Sequence, residues 1–110
     1  MCDSLYASSP GAKGPSFFAK NSDRHPDEPQ ALCLLPRRPA TPTIDVGRSA
    51  FAFPDRGLSF LLSKPSWMGG GEMGLNERGV AVGNEAVFSR FKARKDGILG
   101  MDLLRAALGH

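Results

Sequence analysis

Cys2-Asp3-Ser4-Leu5-Tyr6-Ala7-Ser8, then Ser9-Pro10-Gly11-Ala12-Lys13-Gly14-Pro15, then Ser16-Phe17-Phe18-Ala19-Lys20: this stretch decides the fold. The outer segments are of strand length and carry β-favouring residues, while the segment between them is dense in turn formers. Two strands around one compact turn region make an antiparallel hairpin. With its centre near Gly11 or Ala12, paired positions have numbers that sum to about 22 to 24. The polar run Lys20-Asn21-Ser22-Asp23 is thereby expected beside the first residues of the chain.

Further along, Arg24-His25-Pro26-Asp27-Glu28-Pro29 reads as a proline-broken loop and Gln30 to Leu35 as a strand. Residues 36–48, with Pro36, Pro39 and Pro42, read as an exposed connection. Ala50 to Phe53, the turn Pro54-Asp55-Arg56-Gly57 and Leu58 to Ser63 suggest a second hairpin. Glu72 to Gly79 reads as a loop closed by a tight turn, and Val80 to Ala86 as a strand. From Ile98 to Leu108 the apolar residues recur at helical spacing, with Asp96 as a possible cap. Strands come first and a helix follows. The expected class is α+β with an antiparallel sheet.

A chain of 110 residues is enough for one small domain. Its 14 basic and 11 acidic residues leave a net charge of +3, weak grounds for a polyanionic partner. The one basic concentration, Arg90, Lys92, Arg94 and Lys95 around Phe91, reads as a solvated loop face before it reads as a nucleic-acid contact. No window is apolar enough for a membrane span, and no basic-then-apolar start resembles a secretory signal. The expected compartment is the cytoplasm, where two cysteines do not form a disulfide framework. Cys33, within Ala31-Leu32-Cys33-Leu34-Leu35, reads as a small buried hydrophobe.

Cys2 is set apart by its position. Initiator methionine is commonly trimmed before a small residue, and the new terminus would carry a thiol and a free α-amine on one residue. A free α-amine titrates near about 7.7–8.0 and a thiol near about 8.5, so the two are matched for proton transfer close to neutrality. One residue thus supplies both nucleophile and base. The expected hairpin adds Asp23, whose carboxylate suits orienting an ammonium, and Lys20, whose charge favours a thiolate. In Gly83-Asn84-Glu85 the Asn84 amide is a neutral donor of the kind that stabilises an oxyanion.

Several blocks of the chain together resemble the secernins and bacterial cysteine dipeptidases, a family of N-terminal-nucleophile hydrolases. They are Met1-Cys2-Asp3; Ala19-Lys20-Asn21-Ser22-Asp23-Arg24; Ser63-Lys64-Pro65-Ser66-Trp67-Met68; Glu72-Met73-Gly74 with Asn76-Glu77; Gly83-Asn84-Glu85-Ala86-Val87; and Leu99 to Arg105. More distantly the chain is similar to bile-salt hydrolases and penicillin V acylases, which share the cysteine, Asp23 and Asn84. Where those enzymes carry arginine, this chain has Lys20, and that turns the implied substrate towards small peptides. It departs from its nearer relatives at Gly69, where they carry an aromatic residue, and at Gly71, where they carry alanine.

The resemblance implies that residues 1–110 are the N-terminal portion of a four-layer αββα hydrolase domain, truncated relative to family length. It implies catalytic roles for Cys2, Asp23, Asn84 and Lys20, substrate-binding roles for Asn21 and Trp67, and neither metal nor cofactor. Lys20 would bias the charge at the thiol or meet a substrate carboxylate; Trp67 would wall the pocket or pack half-buried. The partners implied are a small peptide substrate and either a missing C-terminal half or a second copy of the chain. The alternative is a non-catalytic, exocytosis-like interaction protein that keeps the sheet without the activity.

Overall fold

A computed structural model describes residues 2–11, 13–38, 43–45, 50–52, 57–91 and 98–110. Its first element is the expected hairpin, β1 (Asp3–Ser8) with β2 (Ser16–Asn21). The ladder runs from Asp3 opposite Asn21 to Ser8 opposite Ser16, so paired numbers sum to 24, at the upper end of the expected range. Gly11, at φ 86°, supplies the left-handed position that turns the chain.

A four-stranded antiparallel sheet follows, in the order β3 (Gln30–Leu35), β6 (Phe60–Pro65), β7 (Met73–Asn76), β8 (Ala81–Gly83). The second hairpin expected from sequence is not what forms. β6 pairs with β3, from Gln30 opposite Pro65 to Leu35 opposite Phe60, and with β7 on its other side. β5 (Ala50–Ala52) pairs instead with β4 (Thr43–Asp45), a short strand inside the segment read as a connection. A ladder along the whole of β3 satisfies more of the β6 backbone than a three-residue β5 can. Most of the expected Pro54–Gly57 turn lies outside the described residues. Glu72 to Gly79 likewise contains a strand, β7, joined to β8 by a turn at Gly79 (φ 80°).

The helix α1 (Gly100–Gly109) begins two residues after the expected start and packs on β6, β7 and β8. The possible cap Asp96 lies outside the described residues, and Leu99 at the N-cap makes no side-chain capping bond. Leu104 and Leu108, one turn apart, close against Phe60 and Leu62, with Leu35 and Val82 packed around them. Burying each of these large side chains is worth about 1.5–3 kcal/mol. Gly70 permits the approach of the helix, since a Cβ there would sit 2.5 Å from the Met101 carbonyl carbon. At its far end two donors meet the helix carbonyls: the buried Asn76 Nδ2 donates to Leu108 O (3.1 Å) and the Leu58 amide to Gly109 O (2.9 Å).

Among the described residues no helix covers the opposite face of the sheet. Leu34, Leu61 and Leu75 form a row across β3, β6 and β7. All three are exposed, as is Leu32. The β1–β2 hairpin stands over part of this face, with the Phe18 ring against Gly83, and leaves a groove of about 410 Å³ between Tyr6, Phe18, Leu61 and Leu75. The class is therefore α+β with antiparallel sheets and one C-terminal helix.

Candidate functional site

Side chains on paired strands alternate between faces with a period of two, and directly opposed residues share a face. Ser4 lies opposite Lys20, and carrying the register one position beyond the ladder sets Cys2 opposite Ser22. Cys2, Ser22 and Lys20 therefore belong to the same face of the hairpin. Cys2 is a free, half-buried thiol. Asn21, one residue out of step, is exposed on the other face.

The Lys20 side chain is fully buried, at 0% exposure. Its Nζ donates to Ser22 Oγ (2.6 Å) and Asn21 O (3.4 Å), and faces Glu72 Oε2 at 3.5 Å. The Ser22 hydroxyl in turn donates to the same Glu72 oxygen (3.3 Å). Arg24, two residues further on, sets Nη1 3.2 Å from Glu72 Oε1. Lys20, Ser22 and Arg24 thus use the two-residue repeat of extended chain to converge on one carboxylate. That carboxylate belongs to a residue 3% exposed. A buried charge persists only when paired and hydrogen-bonded, and Glu72 has two cations and a hydroxyl.

From Arg24 the network continues to the surface. Its guanidinium grips Glu28 through both Nε and Nη2, each at 2.5 Å, and Glu28 also accepts from Trp67 Nε1 (2.9 Å) and Gln30 Nε2 (3.3 Å). Led by the Arg24 hydrogen bond and then that from Trp67, these donors hold the Glu28 carboxyl down to about 2. Glu28 in turn raises Arg24 above its ordinary value, which burial opposes and the charges of Glu72 and Cys2 reinforce. Arg24 thus lies within electrostatic reach of Cys2. A groove of about 320 Å³ runs along this network between Lys20, Arg24, Glu28 and Glu72.

Asp23 is exposed, and its carboxyl is held below the usual range by a hydrogen bond from the terminal ammonium of the chain and by the charge of that group. Trp67 stands at the outer end of the network, 67% exposed. It is carried by a turn whose carbonyls, those of Pro65, Ser66 and Met68, accept from Lys64 Nζ. Asn84 follows β8 directly. Its backbone amide donates to Glu72 O (2.8 Å), while its carboxamide oxygen lies beside Gly100, where an added Cβ would come within 2.6 Å of it. The residue before it, Gly83, sits against the Lys20 stem, with an ideal Cβ 3.3 Å from Cδ.

The structure thus brings Cys2, Lys20 and Ser22 onto one face of the hairpin, and holds Asp23 beside the amino terminus. Asn84 joins this region through its backbone, with the carboxamide at the start of the helix. Sequence reasoning passed over Glu72, Arg24 and Glu28 as site residues. The available signal was an acidic residue in a stretch otherwise rich in Gly and Met, where a carboxylate needs a partner.

Of the basic patch, residues 92–97 lie outside the described residues, and Arg90 stacks over Phe91 at 5.6 Å. Among the described residues no group of three or more His, Cys, Asp or Glu side chains converges as a metal site, and no helix is long and apolar enough to cross a membrane. No protein-family model matches the chain, and no solved structure matches it.

Proposed function

We propose that this chain is a cysteine-dependent amide hydrolase of the N-terminal-nucleophile type, allied to the secernins and cysteine dipeptidases and acting on small peptides. The observation that carries the reading is the hairpin register, which puts Cys2 two pairs beyond Ser4–Lys20 and so on the face where Lys20 is buried. A cation behind a terminal thiol favours the thiolate. In this reading Met1 is removed and the Cys2 amine accepts the thiol proton as the sulfur attacks the peptide carbonyl. The Asn84 carboxamide, swung from Gly100, donates to the oxyanion. The C–N bond then breaks, the ammonium returns its proton to the leaving nitrogen, and water hydrolyses the thioester. Asp23 orients the amine, Lys20 biases the charge at sulfur, and Trp67 meets the substrate at the rim. The hairpin and the four-stranded sheet beneath it belong, on this reading, to part of a four-layer αββα domain.

A non-catalytic interaction protein is the second reading, and the uncovered row of Leu34, Leu61 and Leu75 favours it. Intact mass and alkylation separate the two. Loss of Met1, selective alkylation of Cys2 over Cys33, and dipeptide hydrolysis abolished by Cys2→Ala support the hydrolase. Retained Met1 with two equally slow thiols overturns it.

A further inference from the structure

Glu72 is used by none of the steps above, yet it touches two of the residues those steps invoke, Lys20 and Asn84. Its side chain meets Lys20, Ser22 and Arg24. Its backbone carbonyl accepts the Asn84 amide (2.8 Å), and its own amide donates to Ser63 O (2.8 Å), fixing it to β6. It is buried at the junction of the sheet with the hairpin. Its Oε1 is enclosed and makes no directional hydrogen bond, so what it has on that side is the Arg24 charge. An internal carboxylate arranged in this way has an electrostatic task in addition to packing.

We infer that Glu72 is a positioning residue for the Cys2 thiol: its buried carboxylate fixes the Lys20 ammonium on the hairpin face that carries the sulfur, and its carbonyl sets the backbone that presents Asn84. This rests on the hydrolase reading. The physical reason is that the Lys20 side chain, at 0% exposure, is closed off from bulk solvent. Its remaining partners, Ser22 Oγ and the Asn21 carbonyl, are neutral. Without Glu72 no charged partner is left to hold the ammonium in place, and the side chain turns out to solvent. The thiolate then loses the cation on its own face of the hairpin. Arg24, whose charge also reaches Cys2, stays held by Glu28 through two bonds and does not move into that place.

The sign of the effect makes the inference testable. Removal of a negative charge alone would make a neighbouring thiol more reactive near neutrality. Loss of Lys20 positioning makes it less reactive, and that is the direction expected.

The test is the pH profile of Cys2 alkylation in the full chain lacking Met1, followed by peptide mapping so that Cys33 is counted separately. In Glu72→Gln the midpoint moves up by roughly half a unit or more, a fall of about threefold in rate near neutrality. Ser22→Ala, which removes the bridging hydroxyl without leaving a charge unpaired, moves it the same way by less and covers the case of a Glu72→Gln chain that fails to fold. In a Lys20→Met background Glu72→Gln adds no further shift, because it acts through Lys20. Glu72→Asp restores part of the wild-type profile, and Glu77→Gln, outside the network, leaves the profile in place.

A folded Glu72→Gln chain whose midpoint stays put or falls overturns the inference alone, provided that wild-type Cys2 is more reactive folded than in urea. Should wild-type Cys2 react no faster folded than unfolded, the hydrolase reading fails and the inference fails with it.

Discussion

The two faces of the four-stranded sheet are built on different physics. On one, Phe60 and Leu62 meet Leu104 and Leu108 of α1 in a dry apolar contact. On the other, Leu34, Leu61 and Leu75 stand exposed. There the β1–β2 hairpin is tied down through charge, by Lys20, Ser22 and Arg24 on Glu72. Apolar packing is non-directional and tolerates small shifts, whereas ionic and hydrogen-bonded contacts hold only at fixed separations. The helix face therefore supplies stability, and the hairpin face supplies placement.

Substitutions on the two faces sharpen this contrast. Leu62→Ala, at a site with 0% exposure, opens a cavity in the packed face and should cost about 2–5 kcal/mol in urea unfolding. A loss below about 0.5 kcal/mol would mean that the helix face is not the core. Asn76→Ala should cost about 1–3 kcal/mol, because it orphans the Leu108 carbonyl and the Arg78 and Val80 amides together. Amide exchange would report this as early opening of the last turn of α1.

Acid should act on the hairpin side. The Glu28 carboxyl is depressed to about 2 in the fold from an ordinary value of 4.5, so the folded state binds its proton less readily than the unfolded state does. The stability this confers is fully present above about 4.5 and is lost as pH falls through about 2. Thermal melts across that window should decline in the wild type more than in Glu28→Gln, and the difference should shrink in high salt. Equal declines would remove Glu28 from the account. The smallest effect is expected at Leu34→Ala on the open face, within about 0.5 kcal/mol. A large loss there would reveal cover on that face.

The hairpin was legible because its information is local: Ser9 to Pro15 is dense in turn formers, and that alone sets Cys2 near Ser22. The C-terminal helix was legible from the spacing of Leu104 and Leu108. By contrast, Phe60 to Pro65 reads equally well as a partner of Ala50–Ala52 or of Gln30–Leu35, since both are apolar runs of strand type. The choice depends on how many ladder bonds each pairing closes. Met73 to Asn76 was hidden by Gly74, a residue poor in strand propensity that is accepted where helix and sheet approach closely. Glu72 looked like a loop residue because its three partners lie about fifty positions away.

By itself, then, the sequence determined the local events: a turn that folds the chain's first residues back on Lys20 and Ser22, a helix with one apolar stripe, and a thiol one residue from the terminus. Those follow from backbone preference and spacing, which act over a few residues. Tertiary structure alone decided which strand β6 joins, that Lys20 is buried and shares a carboxylate with Arg24, and that the Asn84 carboxamide rests at the start of α1. These depend on distant segments competing for the same backbone groups and the same charge, and that competition is resolved only when the whole sheet is assembled.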